Sequence, residues 1–116
     1  MPVGSKSHID SSLPLFSRRL KEARLRADLS QEQLGVVAGV DEFSASARVN
    51  QYERGKHTPD VLMASHLAKV LAVPLSYFWA EDDDEAELLL LYHRLSQRNR
   101  RQALRLLQDS FPSAAA

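Results

Sequence analysis

The chain has 116 residues, enough for one domain of ordinary size with appendages and too few for two large ones. Hydrophobic residues make up 44% and charged residues 26%, a globular balance; the absence of cysteine excludes disulfides, thiolate metal sites and cysteine nucleophiles, and with no signal-peptide core or membrane-length apolar run the expected compartment is the cytoplasm. Net charge is zero, which lacks the strongly basic footprint of many nucleic-acid binders, although residues 1–80 hold ten basic against eight acidic side chains and residues 81–116 five against seven.

Residues 1–12 are polar and aperiodic and are expected to form a mobile leader without a function of their own. Pro14 suits a first helical turn, and Phe16, Leu20, Ala23 and Ala27 follow at spacings of four, three and four, predicting an amphipathic helix to about Ala27 that Asp28 ends. It is basic: Arg18, Arg19, Lys21, Arg24 and Arg26 face one acid, Glu22.

The stretch 30–55 reads as two helices joined by a turn. Ser30 is a good N-cap, and Gln33 stands where a capping box needs its reciprocal acceptor. Leu34, Val37 and Ala38 supply an apolar face, and Gly39 supplies a left-handed stop. The second helix, about residues 44–54, turns Val49 and Tyr52 inward and leaves Ser46, Ala47, Arg48, Asn50 and Gln51 outward. Gly55 ends it, and Lys56 and His57 open a basic loop.

Thr58 is expected to cap a fourth helix beginning at Pro59, with Leu62, Met63, Leu67, Val70 and Leu71 as its buried stripe through Ala72. His66 reads as a partly buried or solvated histidine, because no second ligand stands at a metal spacing. Val73-Pro74 breaks the helix before a short fifth one, 76–79, where Leu75, Phe78 and Trp79 close the core. Six of the seven residues 81–87 are acidic and suit the start of a helix better than a calcium loop. Leu88 to Leu91, Tyr92 and Leu95 crowd more than one face of that helix; a second helix, capped by Ser96 and running to Gln108, carries Ala103, Leu104, Leu106 and Leu107. These two helices either pair with a second copy through residues 85–110 or fold back on the first domain as a hairpin, and residues 111–116 are expected to fray.

Between about Leu13 and Trp79 the sequence resembles the lambda-repressor and Cro-like (Xre-type) helix-turn-helix family. The resemblance rests on Ser30-Gln31, Leu34, the Gly39-Val40 turn, Val49, and Tyr52-Glu53-Arg54-Gly55 with Pro59 after it. Three departures stand out: Gly35 replaces the usual Ala, Asp28 replaces the usual Gly, and the segment from Gly39 to Glu53 is about four residues longer than the family pattern. The resemblance implies an all-α fold, a five-helix lambda-repressor-like DNA-binding domain over residues 13–80 followed by a C-terminal pair of helices over 81–110. It also implies a structural pair of Arg24 with Glu53, whose alternative is a solvated surface arginine.

The function implied is a dimeric regulator of transcription, a repressor by analogy, binding double-stranded DNA at an inverted-repeat operator with its third helix in the major groove. Base-reading positions carried over are Ser46, Ala47 and Gln51; Arg48 has the chemistry to pair with guanine and Gln51 to bridge adenine. Gln31 matches the family's phosphate-fixing glutamine, and Asn50, Arg54, Lys56 and His57 are the remaining phosphate candidates, Arg48 and Asn50 serving either role. The competing class is an antitoxin or adaptor that uses the same fold and binds a protein through its leucine-rich C-terminal helices. An enzyme is not expected, nor a cofactor, metal or small-molecule substrate: no nucleophile lies beside a base in a recognisable motif, and no glycine-rich phosphate loop is present.

Overall fold

The computed structural model describes residues 12–115, so the leader expected over residues 1–12 lies, Ser12 aside, outside the described residues. Helix α1 (Leu15–Arg26) follows Pro14, α2 (Gln31–Val37) and α3 (Ala45–Glu53) form the helix-turn-helix, and α4 (Val61–Leu71) leads into a 3-10 helix, Leu75–Trp79. Helices α5 (Asp83–Arg94) and α6 (Gln97–Ser110) complete the chain before a final 3-10 turn, Pro112–Ala115. Among the described residues there is no strand, so the fold is the expected all-α one, with the fifth helix of the first domain in 3-10 form.

Helix ends follow local chemistry. The capping box is complete: the Gln33 amide donates to Ser30 Oγ at 3.0 Å, and the Ser30 amide donates to Gln33 Oε1 at 2.8 Å. α2 and α3 both close through a left-handed glycine, Gly39 (φ 107°) and Gly55 (φ 75°); the next amide, of Val40 or Lys56, donates back to the carbonyl of Gly35 or Gln51. α1 and α4 close in the same way without glycine, through Asp28 (φ 58°) and Ala72 (φ 57°), conformations that cost an L-residue roughly 1 kcal/mol or more.

One core joins α1 to α5: Leu20, Leu34, Val49, Leu67, Tyr77 and Phe78 are its largest fully enclosed side chains. Phe16 packs on Phe78 with ring centroids 4.8 Å apart. Several expected core positions are corrected. Val37 is 66% exposed and Leu62 65% exposed, because the buried stripes run through Leu34, Gly35 and Ala38 on α2 and through Ala64, Leu67, Ala68 and Leu71 on α4. α4 starts two residues later than expected, at Val61, and Asp60 replaces Thr58 as the cap by accepting from the Met63 amide at 2.8 Å. Trp79 remains 46% exposed, and Tyr77 takes the enclosed place instead.

Tyr77 is also wired: its hydroxyl donates to Glu22 Oε1 at 3.2 Å, and burial pushes its phenol above the ordinary range, against the opposing effect of Arg26. The buried Arg19 donates to the Ala80 carbonyl at 3.0 Å, to Glu22 at 3.0 Å and to Asp83 at 3.1 Å, so it ties α1 to the start of α5. Burial alone would lower the pKa of that guanidinium, but its bonds with Glu22 and Asp83 outweigh desolvation and raise it.

The acidic run does what its position suggests: Asp82 caps α5, and Asp83, Asp84 and Glu85 occupy the first turn, where negative charge is favoured. α5 buries Ala86 and Leu90 but leaves Leu88, Leu91 and Tyr92 exposed, and α6 buries none of its residues. The bend between them is held by Arg100, which donates to the Tyr92 and His93 carbonyls at 3.0 and 2.8 Å. Beyond α6 the Phe111 amide continues the ladder to the Leu107 carbonyl at 2.9 Å, and the 3-10 turn Pro112–Ala115 follows.

α2 crosses α3 tightly at Gly35. A Cβ built there would lie 2.8 Å from Ala45 Cβ and 2.9 Å from the Ala45 carbonyl oxygen, and backbone cannot yield cheaply. Gly35→Ala should therefore lower stability by about 1 kcal/mol or more in chemical denaturation, even though alanine is the better helix former by about 1 kcal/mol. A more stable variant would mean that the crossing opens without cost.

Candidate nucleic-acid interface

The candidate interface is built on α3, and its geometry starts from what holds that helix. The Arg24 guanidinium grips Glu53 with both ends, Nε to Oε2 at 2.6 Å and Nη2 to Oε1 at 3.0 Å, a fork-on-carboxylate pair in which the two side chains are only 11% and 3% exposed. Its remaining nitrogen, Nη1, donates to the Leu29 carbonyl at 2.9 Å, just before α2. Gln31 Nε2 donates to the same Glu53 carboxylate at 3.1 Å. One carboxylate thus joins the first three helices.

Two further contacts lock the C-terminal end of α3 onto α1. Ser17 Oγ donates to the Tyr52 carbonyl at 2.7 Å inside the core. Gly55 lies so near the start of α1 that an added Cβ would come within 2.7 Å of Pro14 Cδ. At the other end Ala45 packs on Gly35. Helix α3 is therefore fixed in rotation as well as position.

The fixed rotation decides which side chains face out. Val49 and Tyr52 are buried, while Ser46, Ala47 and Arg48 are exposed. Asn50 and Gln51, expected outward, are half-buried. Arg54, Lys56 and His57 are exposed beyond the C-terminal end of α3. Gln31 is half-buried at the first position of α2; its amide nitrogen is committed to Glu53, and its oxygen takes no part in that bond.

Beside this face an open groove of about 460 Å³ separates α3 from the start of α4, lined among others by Arg48, Gln51, His57, Asp60, Leu62 and His66. His66, read from sequence as unremarkable, is exposed on its wall. Among the described residues no group of three or more His, Asp and Glu could hold a metal ion, and no helix is long and apolar enough to cross a membrane.

A short, well-capped helix crossing a second helix through a glycine, with the second helix held rigid and presenting small and hydrogen-bonding side chains outward, is the architecture of a helix-turn-helix DNA-binding domain. Residues 20–78 match the helix-turn-helix family. The chain is 31% identical over 70 residues to YgzD, an uncharacterised HTH-type transcriptional regulator of Bacillus subtilis (strain 168), a match that spans 60% of this chain and all of that protein. It also superposes on the crystal structure of the transcriptional regulator BswR with a TM-score of 0.77 at 43% identity, covering 84% of this chain and 96% of that one. The chain belongs to the Xre-type helix-turn-helix family of transcriptional regulators.

The resemblance implied the pair of Arg24 with Glu53 and set Gln31 apart on a phosphate; it did not reveal that Gln31 meets the same carboxylate. It also missed Arg19, whose signal was weak: one arginine among several on a basic helix. Glu53→Ala strands the Arg24 guanidinium among three helices and should cost roughly 3–5 kcal/mol in denaturant unfolding, because the partner of a buried pair is left without its counter-charge. Double replacement of Arg24 and Glu53 by apolar residues should cost less than the single change.

Proposed function

We propose that this protein is a dimeric repressor that binds an inverted-repeat operator with α3 in the major groove. The observation that carries the reading is the exposed face of Ser46, Ala47 and Arg48, with Gln51 half-buried, on a helix anchored from behind by Arg24, Glu53 and Ser17. Base reading needs such a support, since side chains must be presented within a fraction of an ångström of the base edges. Arg48 donates to guanine O6 and N7, Gln51 bridges adenine N6 and N7, and Ser46 and Ala47 allow the backbone to come close.

Gln31, Asn50, Arg54, Lys56 and His57 hold phosphates on either side and set register without reading sequence. Gln31 does so with the second N–H of its side-chain amide, the first being given to Glu53. The zero net charge is compatible with this, because Arg48 on α3 and Arg54 and Lys56 just beyond its C-terminal end place cations locally, while six acids are gathered in residues 81–87, at the start of α5.

Pairing of two copies through residues 85–110 is supported by what α5 and α6 leave uncovered: Leu88, Leu91, Tyr92, Leu104, Leu106 and Leu107 are all exposed on two successive helices. The same surface would serve the alternative, an antitoxin or adaptor that captures a partner protein. Residues 13–80 then form the reading domain and 81–110 the pairing extension.

Selection of duplexes from a random pool by the full-length protein tests the reading. An enriched inverted repeat with half-site centres about 10 bp apart, or a multiple of it, is expected. Against that site Gln51→Ala should lose roughly 1–3 kcal/mol of discrimination at one base pair, whereas Lys56→Ala should weaken specific and random duplexes alike and reduce the salt slope by about one. Equal losses on both duplexes for the Gln51 variant would remove it from the reading set. Leu104→Asp with Leu107→Asp should convert a dimer to a monomer in sedimentation; an unchanged mass would place the pairing surface elsewhere.

A further inference from the structure

We propose that Phe43, in the lengthened turn before α3, is a specificity-determining residue that packs on the 5-methyl group of a thymine in the major groove. The proposal rests on the DNA-binding reading above and adds to it a contact outside the α3 face. Phe43 is 99% exposed, more than any other large apolar side chain among the described residues. A single exposed apolar residue is common on protein surfaces and means little by itself. Its setting gives this one meaning.

The turn that carries Phe43 is rigid. The buried Val40 pins it on one side and the fully buried Ala45 on the other. Within it the Ser44 amide donates to both the carbonyl and Oδ1 of Asp41, at 3.1 and 3.0 Å. The backbone of a tip held this way is already ordered before it meets a partner, so only the freedom of the Phe43 side chain itself is lost on contact.

Position supplies the rest of the argument. Ser44 is already in right-handed helical conformation, and the Arg48 amide donates to its carbonyl at 2.8 Å. Continued back by one residue, the helical spacing puts Phe43 on the same side as Ser46 and Ala47, three and four residues on. It therefore extends the candidate reading face beyond the N-terminal end of α3, the end from which helix-turn-helix proteins contact base edges. The chemistry there is apolar and flanked by two exposed carboxylates, Asp41 and Glu42. Carboxylates are repelled by phosphates but can accept from the amino group of cytosine, so a base edge suits this tip better than the sugar-phosphate strand. On the base edges the thymine methyl is the apolar group, and phenylalanine is among the side chains that pack on it.

The test uses the full-length protein and the duplex it selects. Each thymine of a half-site is replaced in turn by deoxyuridine, which lacks only the methyl group, and binding is measured for wild type, Phe43→Ala and Phe43→Leu. Wild type should lose about fourfold in affinity at one thymine, the worth of burying one methyl group. Phe43→Ala should bind the thymine duplex more weakly by a comparable factor and be indifferent to deoxyuridine there, while Phe43→Leu should keep part of the discrimination. Because Phe43 packs on nothing, both variants should melt as wild type does. Selective binding in which no thymine matters, or a methyl effect that survives undiminished in Phe43→Ala, overturns the proposal and leaves the DNA-binding reading standing. Failure to enrich any duplex overturns both.

Discussion

The arrangement depends on one carboxylate. Glu53 ends α3 and receives hydrogen bonds from Arg24 on α1 and Gln31 on α2, so three helices that share few large side chains at this edge are referred to a single point. Hydrophobic packing of Leu20, Leu34 and Val49 brings these helices together, but apolar contact is not directional and would tolerate some rolling of α3 about its axis. The planar fork of the arginine does not. A roll of one residue position, about 100°, would carry Arg48 off the outer face, so the ion pair contributes orientation more than stability.

The same division of labour explains the small residues. Gly35 and Ala45 let α2 and α3 touch backbone to backbone, which leaves little freedom in their crossing. Large side chains at that crossing would hold the helices apart. Tight crossing, directional pairing and the Ser17 bond to the Tyr52 carbonyl together produce a stiff bracket from a domain of modest core. Near-zero net charge is no obstacle to such a bracket, since what it presents is local.

Much of this was legible in the residues. Ser30 with Gln33, Gly39, Gly55, the acids before α5 and Ser96 act through neighbours a few positions away, and each occurs where local rules put it. What escaped depends on distant parts of the chain. Leu62 reads as core from its spacing, yet its helix buries the stripe Ala64, Leu67, Ala68 and Leu71, and starts at Val61 because Asp60 out-competes Thr58 as a cap. Trp79 and Tyr77 are similarly apolar in a pattern, and only the position of Glu22 and Arg26 selects the tyrosine for the interior. The joining of Gln31 to the Arg24–Glu53 pair spans 22 residues, beyond any local period. On the candidate reading face, outward direction followed from helical spacing, whereas the half-burial of Asn50 and Gln51 comes from neighbours outside the helix, which spacing does not encode.

Helix α6 has 14 residues, a well-formed cap at Ser96 and no buried side chain. A helix of that length is marginal in water when nothing shields it, since nucleation is costly and each added residue contributes little. Under the proposed pairing its order and its partner arrive together, and their free energies are linked by mass action. Scarce protein would then carry a loosened arm, and abundant protein a formed one. Operator occupancy would rise more steeply than in proportion to the amount of protein made, giving the cell a threshold without any added effector.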